Sequence, residues 1–458
     1  MRTLAPLCVL VWPMLAQTLQ LEDVVRSVET NYPPLLATLL EREVAGGAAL
    51  QAQGQFDTQL GLTAGADQFG FYPNQRLDAS VNQNLRWQGA SVYGGWRLGS
   101  GDFASYSGLD QTQSFGQFRA GIKVPLLRGR EIDERRAGLA QTQLGQRIAD
   151  LTVDQQRLLV RQLAANRYWD WSAAGQRLTI AQELLRVARE RDQALRDAAE
   201  LGAIPRVEVT ENQRQVLQRE AQIIEAQRGV QQTAIAMSLF YRDAAGFPRI
   251  AQDSQLPSKL PVTEILDPAQ VNEDLTRAIA KRPEIASLAA QRAQTRIDID
   301  VAANQTRPSM DFGVGVASEA GSGPIKRGPN EVKATLTFQV PWQRRVAEGK
   351  LQQASAKHSQ LTQREMFARD QVTAEVQDAS SAVRAAHERT LLATREVTVA
   401  LDLADAERER FRLGDSTLFL VNLREQAAVD AELREVSANL DYLRARTIYD
   451  QVTAKLLP

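Results

Sequence analysis

The chain has 458 residues, which is enough for a large core or for several domains. Its 54 basic and 55 acidic residues leave a net charge of −1, so no overall field favours nucleic acid or another polyanion as a partner. The one cysteine, Cys8, lies near the start, which excludes disulfides, thiol catalysis and cysteine-ligated metals from the remainder of the chain.

Residues 1–16 have the pattern of a signal peptide. Arg2 gives a charged start, an apolar run extends from Leu4 to Leu15, and Ala16 precedes the polar Gln17. We expect this segment to direct export and to be removed, the alternative being a short buried helix. No later stretch approaches 18 consecutive apolar residues, so we expect no transmembrane helix. An exported chain of this kind is still able to enter a membrane as a closed β-barrel.

The chain consists of two repeats, and each begins with two helices separated by proline. In the first repeat, apolar periodicity predicts helices at about 21–31 and 35–53, on either side of Pro33-Pro34. The second repeat has the same arrangement at 275–281 and 285–303, around Pro283. Each half is therefore expected to fold as one copy of the same unit.

Strand pairs follow these helices in both repeats. Apolar residues alternate strictly with small or polar ones at 59–66 and 118–124 in the first repeat, and at 311–316 and 333–340 in the second. Strands with one apolar and one polar face are typical of a transmembrane barrel around water, and also of a soluble sandwich with one wet face. Alternation alone leaves both possibilities open.

The first repeat contains a further candidate hairpin between its two strands. Residues 77–87 and 92–98 have strand pattern, and the chain is predicted to turn near Gln88-Gly89. The sequence leaves open whether this hairpin joins a sheet or projects into solvent.

Long helical hairpins complete both repeats. Proline-free patterns at 134–200 and 346–413 predict helices on the order of 100 Å long. In the second of them, a heptad seam of mostly Ala and Val is expected at Val372, Val376, Ala379, Val383, Ala386, Thr390, Ala393, Val397, Ala400 and Ala404. The helix that returns in the first repeat has a similar predicted seam at Val209, Gln213, Val216, Glu220, Ile223, Gln227, Val230, Ala234 and Met237. Sparse seams between charged faces favour a thin wall that is wet on both sides, with a solid bundle as the alternative.

The two helical hairpins turn at matching phrases, Leu201-Gly202 and Leu413-Gly414. Glycine after an apolar residue predicts a helix C-cap with positive φ, and Ser416 or Thr417 is expected to cap the helix that follows. The hairpins have nearly equal lengths, so their turns should lie at one level.

Taken together, these features resemble the TolC-like outer membrane factor family. The resemblance covers nearly all of the chain after residue 16 and rests on the combination of two strand-and-hairpin repeats, the helix–proline–helix openings and the two Leu-Gly turns. It implies a mainly α fold with a β part, in which three copies form a 12-stranded outer membrane barrel continued by an α-helical periplasmic tunnel. One strand pair per repeat gives four strands per chain, too few for a barrel with a lumen, so several copies must share one barrel.

The resemblance also implies location, partners and function. The chain is expected in the outer membrane of a Gram-negative bacterium, in contact with its lipid and with the helices in the periplasm. It would be a homotrimeric exit channel of a tripartite efflux pump or a type I secretion system, passing small molecules, metal ions or polypeptides. Its partners would be a periplasmic adaptor protein and, through that adaptor, an inner-membrane transporter.

Two groups of candidate site residues follow from the resemblance. Leu201, Gly202, Leu413 and Gly414 would contact the adaptor. The second group would form a periplasmic constriction, part acidic and part apolar, and consists of Glu208, Asp415, Leu420, Asn422, Leu423, Arg424 and Glu425.

The predicted segments divide the chain in order. They are a signal peptide (1–16), helices (17–56), strands with a loop or extra hairpin (57–126), a helical hairpin (127–241), a linker (242–271), helices (272–306), strands (307–341) and a second helical hairpin (342–458).

Catalytic and cofactor chemistry finds little support in the sequence. His358 and His387 have no neighbouring ligands at metal-binding spacing, so both are expected to be surface helix residues. The glycine-containing stretches lack the setting of a phosphate loop, and the basic residues form no stripe for nucleic acid. We therefore expect a protein that is not an enzyme and has no cofactor or metal. The alternative function is a periplasmic coiled-coil adaptor or scaffold without a pore.

Overall fold

The computed structural model describes residues 18–104, 110–323 and 330–457. The signal peptide predicted at 1–16 lies outside this part of the chain. The chain forms two compact units. The unit we call the helical unit comprises Met1–Leu39, Val153–Pro283 and Arg369–Pro458, and the sheet unit comprises Leu40–Thr152 and Glu284–Ala368.

The elements follow the predicted two-repeat order. In the first repeat they are α1 (Leu21–Asn31), α2 (Pro33–Gly54), β1 (Gln59–Asp67), β2 (Asn74–Asn84), β3 (Ser91–Gly101), β4 (Gln117–Pro125), α3 (Glu134–Glu200) and α4 (Arg206–Ser238). In the second they are α5 (Pro268–Lys281), α6 (Pro283–Gln305), β5 (Ser309–Glu319), β6 (Asn330–Gln339), α7 (Arg345–Arg412) and α8 (Leu418–Val452). Within the described residues, no helix has both the length and the apolarity needed to span a bilayer.

The six strands form one antiparallel sheet in the order β1-β2-β3-β4-β5-β6. The hairpin whose position the sequence left open is β2–β3, and it occupies the sheet between β1 and β4. It turns where predicted, with positive φ at Gln88 (48°) and Gly89 (68°). The sequence-based count of four strands per chain is therefore corrected to six.

The sheet has one apolar and one polar face across all six strands. The apolar face includes Leu60, Leu62, Leu77, Val81, Val92, Trp96, Phe118, Ile122, Phe312, Val314, Leu336 and Phe338, which occupy alternate positions in a continuous register. The opposite face carries ion pairs between strands. Asp78 accepts from Arg119 at 2.5 Å, and Lys123 lies 3.1 Å from Asp311. Asp78 and Asp311 on this face are thus paired with cations of the same sheet.

Tyr93 covers two glycines on the polar face. A Cβ atom at Gly121 would lie 2.5 Å from the Tyr93 hydroxyl and 2.6 Å from the carbonyl oxygen of Val314, and one at Gly315 would lie 2.5 Å from the same hydroxyl. The absence of side chains at both positions therefore makes room for the Tyr93 ring across β4 and β5.

Four helical segments of the sheet unit are connected in the order α2-α3-α6-α7. Arg42 of α2 lies 2.7 Å from Asp150 of α3. Gln294 of α6 donates to the Gln141 carbonyl of α3 at 3.0 Å. On its other side α6 meets α7, where Arg292 lies 3.2 Å from Glu365. The unit is therefore a six-stranded sheet accompanied by a four-helix layer.

The helical unit has its main core between α1, α3, α4 and the segment after α4. Trp171 is completely buried there with Val24, Val28, Val230 and Met237. The predicted α7 seam is confirmed from Val372 to Ala393, where each seam residue is buried. Helix α5 begins seven residues before the predicted start, because Asp267 caps it by accepting from the Ala269 amide and Pro268 occupies its first position.

The predicted α4 seam is correct only in its second half. Val230, Ala234 and Met237 are buried, but nearer the turn the buried residues are Asn212 and Arg219, each one position before the predicted Gln213 and Glu220.

We expect Gly121→Ala to destabilise the sheet by about 1–3 kcal/mol, because the added methyl group collides with Tyr93 and with the backbone of β5. The matched control is Gly65→Ala, since nothing lies within 4 Å of a Cβ at Gly65 in β1. Thermal unfolding of the two purified variants measures the difference. Equal melting temperatures would contradict this account of the Tyr93 contact.

Candidate functional site: helix turns and a buried ion-pair cluster

The two Leu-Gly turns have the same backbone hydrogen bonds. At the first, the amide of Gly202 donates to the Ala199 carbonyl at 3.2 Å and the amide of Ala203 donates to the Ala198 carbonyl at 2.9 Å. At the second, Gly414 donates to Phe411 at 3.0 Å and Asp415 donates to Arg410 at 2.9 Å. Both are Schellman caps, which need a left-handed residue after the helix. Gly202 and Gly414 have φ of 73° and 81°, as predicted.

The turns expose the residues that the resemblance assigns to adaptor contact. Leu201 is 84% exposed and Leu413 is 68% exposed. A Cβ at Gly202 or Gly414 would have no atom within 4 Å. After the second turn Thr417 caps α8, because its hydroxyl accepts from the Leu420 amide at 3.4 Å. Each turn therefore presents an exposed leucine at the end of a helix closed by a Schellman cap.

An ion pair between α3 and α8 sets the relative level of the turns. Arg191 donates to the Glu425 carboxylate. Arg191 lies eleven residues before Gly202, and Glu425 lies eleven residues after Gly414. Nine residues of α3 follow Arg191, and seven residues of α8 precede Glu425, so a rise of ~1.5 Å per residue carries the two helices ~14 Å and ~11 Å beyond this contact.

Those predicted constriction residues that belong to α8 divide between two faces of the helix. Leu420, Leu423 and Arg424 are exposed, whereas Asn422 and Glu425 are buried. Glu208, in the first turn of α4, is half-buried. Asp415 is exposed at the second turn, where Arg410 lies 3.4 Å from it. Three of the seven predicted residues thus share one exposed face of α8, and two others are buried where α8 packs against its neighbouring helices.

Glu425 is the centre of a buried cluster that connects four helices. Its fully buried side chain accepts from Arg191 of α3, from Arg219 of α4 at 3.1 Å and from Arg408 of α7 at 2.9 Å. These three arginines were not singled out in the sequence. Their signal is weak, because arginine is frequent on every face of these helices and only the packing shows which ones are buried.

The cluster uses its remaining donors on other acceptors. Arg191 also donates to the Asn422 side chain at 3.0 Å, and Arg408 donates to Asp405 at 2.6 Å. Arg219 donates to the Leu184 carbonyl at 3.0 Å. The three positive charges around one carboxylate are therefore partly satisfied by neutral or more exposed groups, which fixes the four helices in one register.

Two opposing effects act on the Glu425 carboxyl. Burial raises its pKa, but the charges and hydrogen bonds of Arg191, Arg408 and Arg219 outweigh burial and hold the pKa below the usual value. Burial lowers the pKa of Arg219. Glu425 is therefore ionised at neutral pH and acts as a connection between the helices of its own chain.

Glu425→Gln should lower stability by about 3–5 kcal/mol, since it leaves three arginines around a neutral amide. Glu409→Gln is the matched control, because Glu409 is exposed and pairs with the exposed Arg412, so that this substitution should change stability little. Thermal unfolding followed by circular dichroism compares the two variants. A control as unstable as Glu425→Gln would refute a special role for the buried cluster.

A pH dependence follows from the lowered pKa of Glu425. Its stabilising effect is complete above the ordinary glutamate pKa of about 4.3 and is lost as the pH falls through the lower pKa of the folded state. The melting temperatures of the natural chain and of Glu425→Gln should differ by a constant amount above about pH 5 and converge in stronger acid. A difference that persists unchanged at pH 2–3 would contradict this assignment.

The two histidines are half-buried and each contacts a threonine. His358 lies 3.2 Å from the Thr295 hydroxyl, and His387 lies 3.1 Å from that of Thr263. In the residues that the structure describes, no three His, Cys, Asp or Glu side chains come together as a metal site would require.

Comparison of the sequence with protein-family models and with curated proteins gives no match. Solved structures do match. The MtrE outer membrane channel of Neisseria gonorrhoeae, in its open state, is 16% identical with a TM-score of 0.66, over 94% of this chain and 88% of that one. The outer membrane protein VceC of Vibrio cholerae is 14% identical with a TM-score of 0.64, over 95% and 96%. The CmeC outer membrane channel of Campylobacter jejuni is 13% identical with a TM-score of 0.64, over 94% and 85%.

At these identities the likeness concerns the fold. This chain has the fold of the outer membrane channels, and the resemblance to TolC-like outer membrane factors is confirmed at that level.

Proposed function

We propose that this protein is an outer membrane exit channel, through which solutes pass from the periplasm to the exterior. The observation that carries the proposal is the six-stranded sheet, with an apolar face on every strand and a charged face opposite. Outer membrane barrels present the first kind of face to lipid and the second to a water-filled lumen. The similarity to structures named as outer membrane channels supports the same function.

The channel is a homotrimer in the outer membrane of a Gram-negative bacterium. Both edge strands, β1 and β6, are exposed along their whole length in a single chain. Exposed edges carry unpaired backbone groups, which lipid is unable to satisfy, so further copies must cover them. The number three follows from the resemblance to trimeric channels.

A periplasmic adaptor docks at the two helix turns, and it connects the channel to an inner-membrane transporter. Leu201 and Leu413 provide exposed apolar contacts, and the glycines beside them leave room for a partner's helix tip. The assembly is either a tripartite efflux pump or a type I secretion system, with small molecules, metal ions or polypeptides as cargo.

The same end of the channel forms its constriction. Leu420, Leu423 and Arg424 share an exposed face of α8, and Glu208 and Asp415 lie near the two turns. Three copies would place these side chains in rings of mixed apolar and charged character. Glu425 and Asn422 contribute by fixing the helices that carry these rings.

Membrane extraction followed by planar-bilayer recording tests the proposal. The full chain should remain in the outer membrane through carbonate washing, require detergent for release, and give discrete conductance steps after reconstitution. Release by carbonate alone and no conductance would favour the pore-free periplasmic adaptor or scaffold instead.

Replacing both turn glycines with tryptophan should abolish transport while leaving the oligomer assembled. The bulky side chains project into open space, so they obstruct a partner more than the chain itself, at a backbone cost of about 1 kcal/mol per turn. Asparagine at both positions is the control, because it tolerates the left-handed conformation. Transport by cells carrying each variant is measured beside the amount of oligomer. Full transport by the double tryptophan variant would refute docking at the turns.

A further inference from the structure

We propose that the β2–β3 hairpin is part of the membrane wall, so that each copy contributes six strands and three copies close a barrel of eighteen. This inference rests on the proposed channel function and departs from the twelve strands that the resemblance implies. It concerns where the edge strands of neighbouring copies meet and how wide the lumen is.

The hairpin is paired on both sides, over nine residue pairs with β1 and seven with β4. The β1–β2 register extends from Gln59↔Asn82 to Asp67↔Asn74, and the β3–β4 register extends from Ser91↔Lys123 to Arg97↔Gln117. Ion pairs cross the hairpin on the polar face, where Arg119 of β4 reaches Asp78 of β2. If the hairpin projected into solvent, these hydrogen bonds and the continuous apolar face would both be lost.

The stagger of the sheet is the one that a closed barrel needs. The row of paired residues that starts at the first residue of β1 consists of Gln59, Asn82, Tyr93, Gly121, Gly315 and Lys333. It ends six residues before Gln339, the last residue of β6. When the end of β6 is aligned with the start of β1 in the next copy, the row climbs six residues over six strands, a ratio of one. A barrel with eight strands and a shear of eight has the same ratio and a strand tilt of about 36°.

The same stagger lets β6 of one copy meet β1 of the next. The end of β6 and the start of β1 each lie within a few residues of a helix of the sheet unit. Aligning these two ends places Gln339 opposite Gln59 of the next copy, and Thr335 opposite its Thr63, all on the polar face. Phe338 then lies opposite Leu60 of the next copy, and Leu336 opposite its Leu62, on the apolar face. The strands are antiparallel in this arrangement, because the number of strands per copy is even.

Six strands also match the four-helix layer of the same unit in width. Strands about 4.8 Å apart, tilted by about 36°, give six strands a span of ~36 Å around the barrel. Helices about 9 Å apart give α2, α3, α6 and α7 a span of ~36 Å as well. Four strands would cover only ~24 Å by the same spacing and tilt. At this spacing and tilt, a wall of four strands would be narrower than the helix layer, and the two strands of the hairpin make up the difference.

Spin-label accessibility tests the position of the hairpin in the full chain, with Cys8 replaced by serine and the protein reconstituted in phospholipid vesicles. Ala79→Cys places a nitroxide on the apolar face of β2, and Ala120→Cys places the matched label on the same face of β4. Both labels should be more accessible to oxygen than to a water-soluble nickel complex, by similar ratios. If only the β4 label is in lipid, the hairpin lies outside the wall and this inference fails while the channel stands. If both are in water, the channel proposal fails as well.

Disulfide formation tests the edge contact independently. In the double variant Thr63→Cys/Thr335→Cys, oxidation should connect neighbouring copies into reducible oligomers up to a closed trimer. The control Ala64→Cys/Thr335→Cys should give several-fold less product, since Ala64 belongs to the opposite face. Equal cross-linking of the two pairs, or none of either, would overturn the proposed register.

Discussion

The pairing of backbone groups at the sheet edges is the constraint on which the rest of this molecule depends. A six-stranded sheet with an apolar face and two open edges is unstable alone, either in water or in lipid. In the proposed trimer, closure with further copies satisfies the backbone and turns the apolar face outward to lipid. It also requires strands of like length and a fixed stagger, which the register from β1 to β6 provides. The register of the sheet thus fits the closure with other copies that we propose.

The helical unit meets a different requirement, since long helices with seams of Ala and Val bury little apolar surface. The Ala and Val seam of α7 permits close approach of the helices, but it only weakly prevents one helix from sliding along another. The Glu425 cluster supplies the missing register, because one carboxylate receives arginines from three other helices. Sliding one of these helices would leave a buried charge without its partner, which is strongly destabilising. The cluster therefore sets the heights of the two Schellman turns relative to each other.

Much of this architecture is predictable from the sequence, because it rests on local signals. The proline breaks, the period-two strands and the Leu-Gly caps each depend on a few neighbouring residues, and the structure has them where predicted. The positions of the β2–β3 hairpin and of Arg219 depend on tertiary packing, which alternation and composition leave undetermined. The early start of α5 also has a local signal, the capping pair Asp267-Pro268, but a prediction based on apolar periodicity alone does not use it. For the candidate site, the turns were predictable, whereas the ion-pair cluster needed the fold.

Electron cryo-microscopy of the full chain in lipid nanodiscs tests the central claim most directly, because it counts both copies and strands. The account predicts threefold symmetry and a membrane-embedded barrel of eighteen strands, ~34 Å across at the backbone given the strand spacing and tilt above. A closed barrel of twelve strands with the β2–β3 hairpin outside it, or a particle without density in the bilayer, would contradict the account.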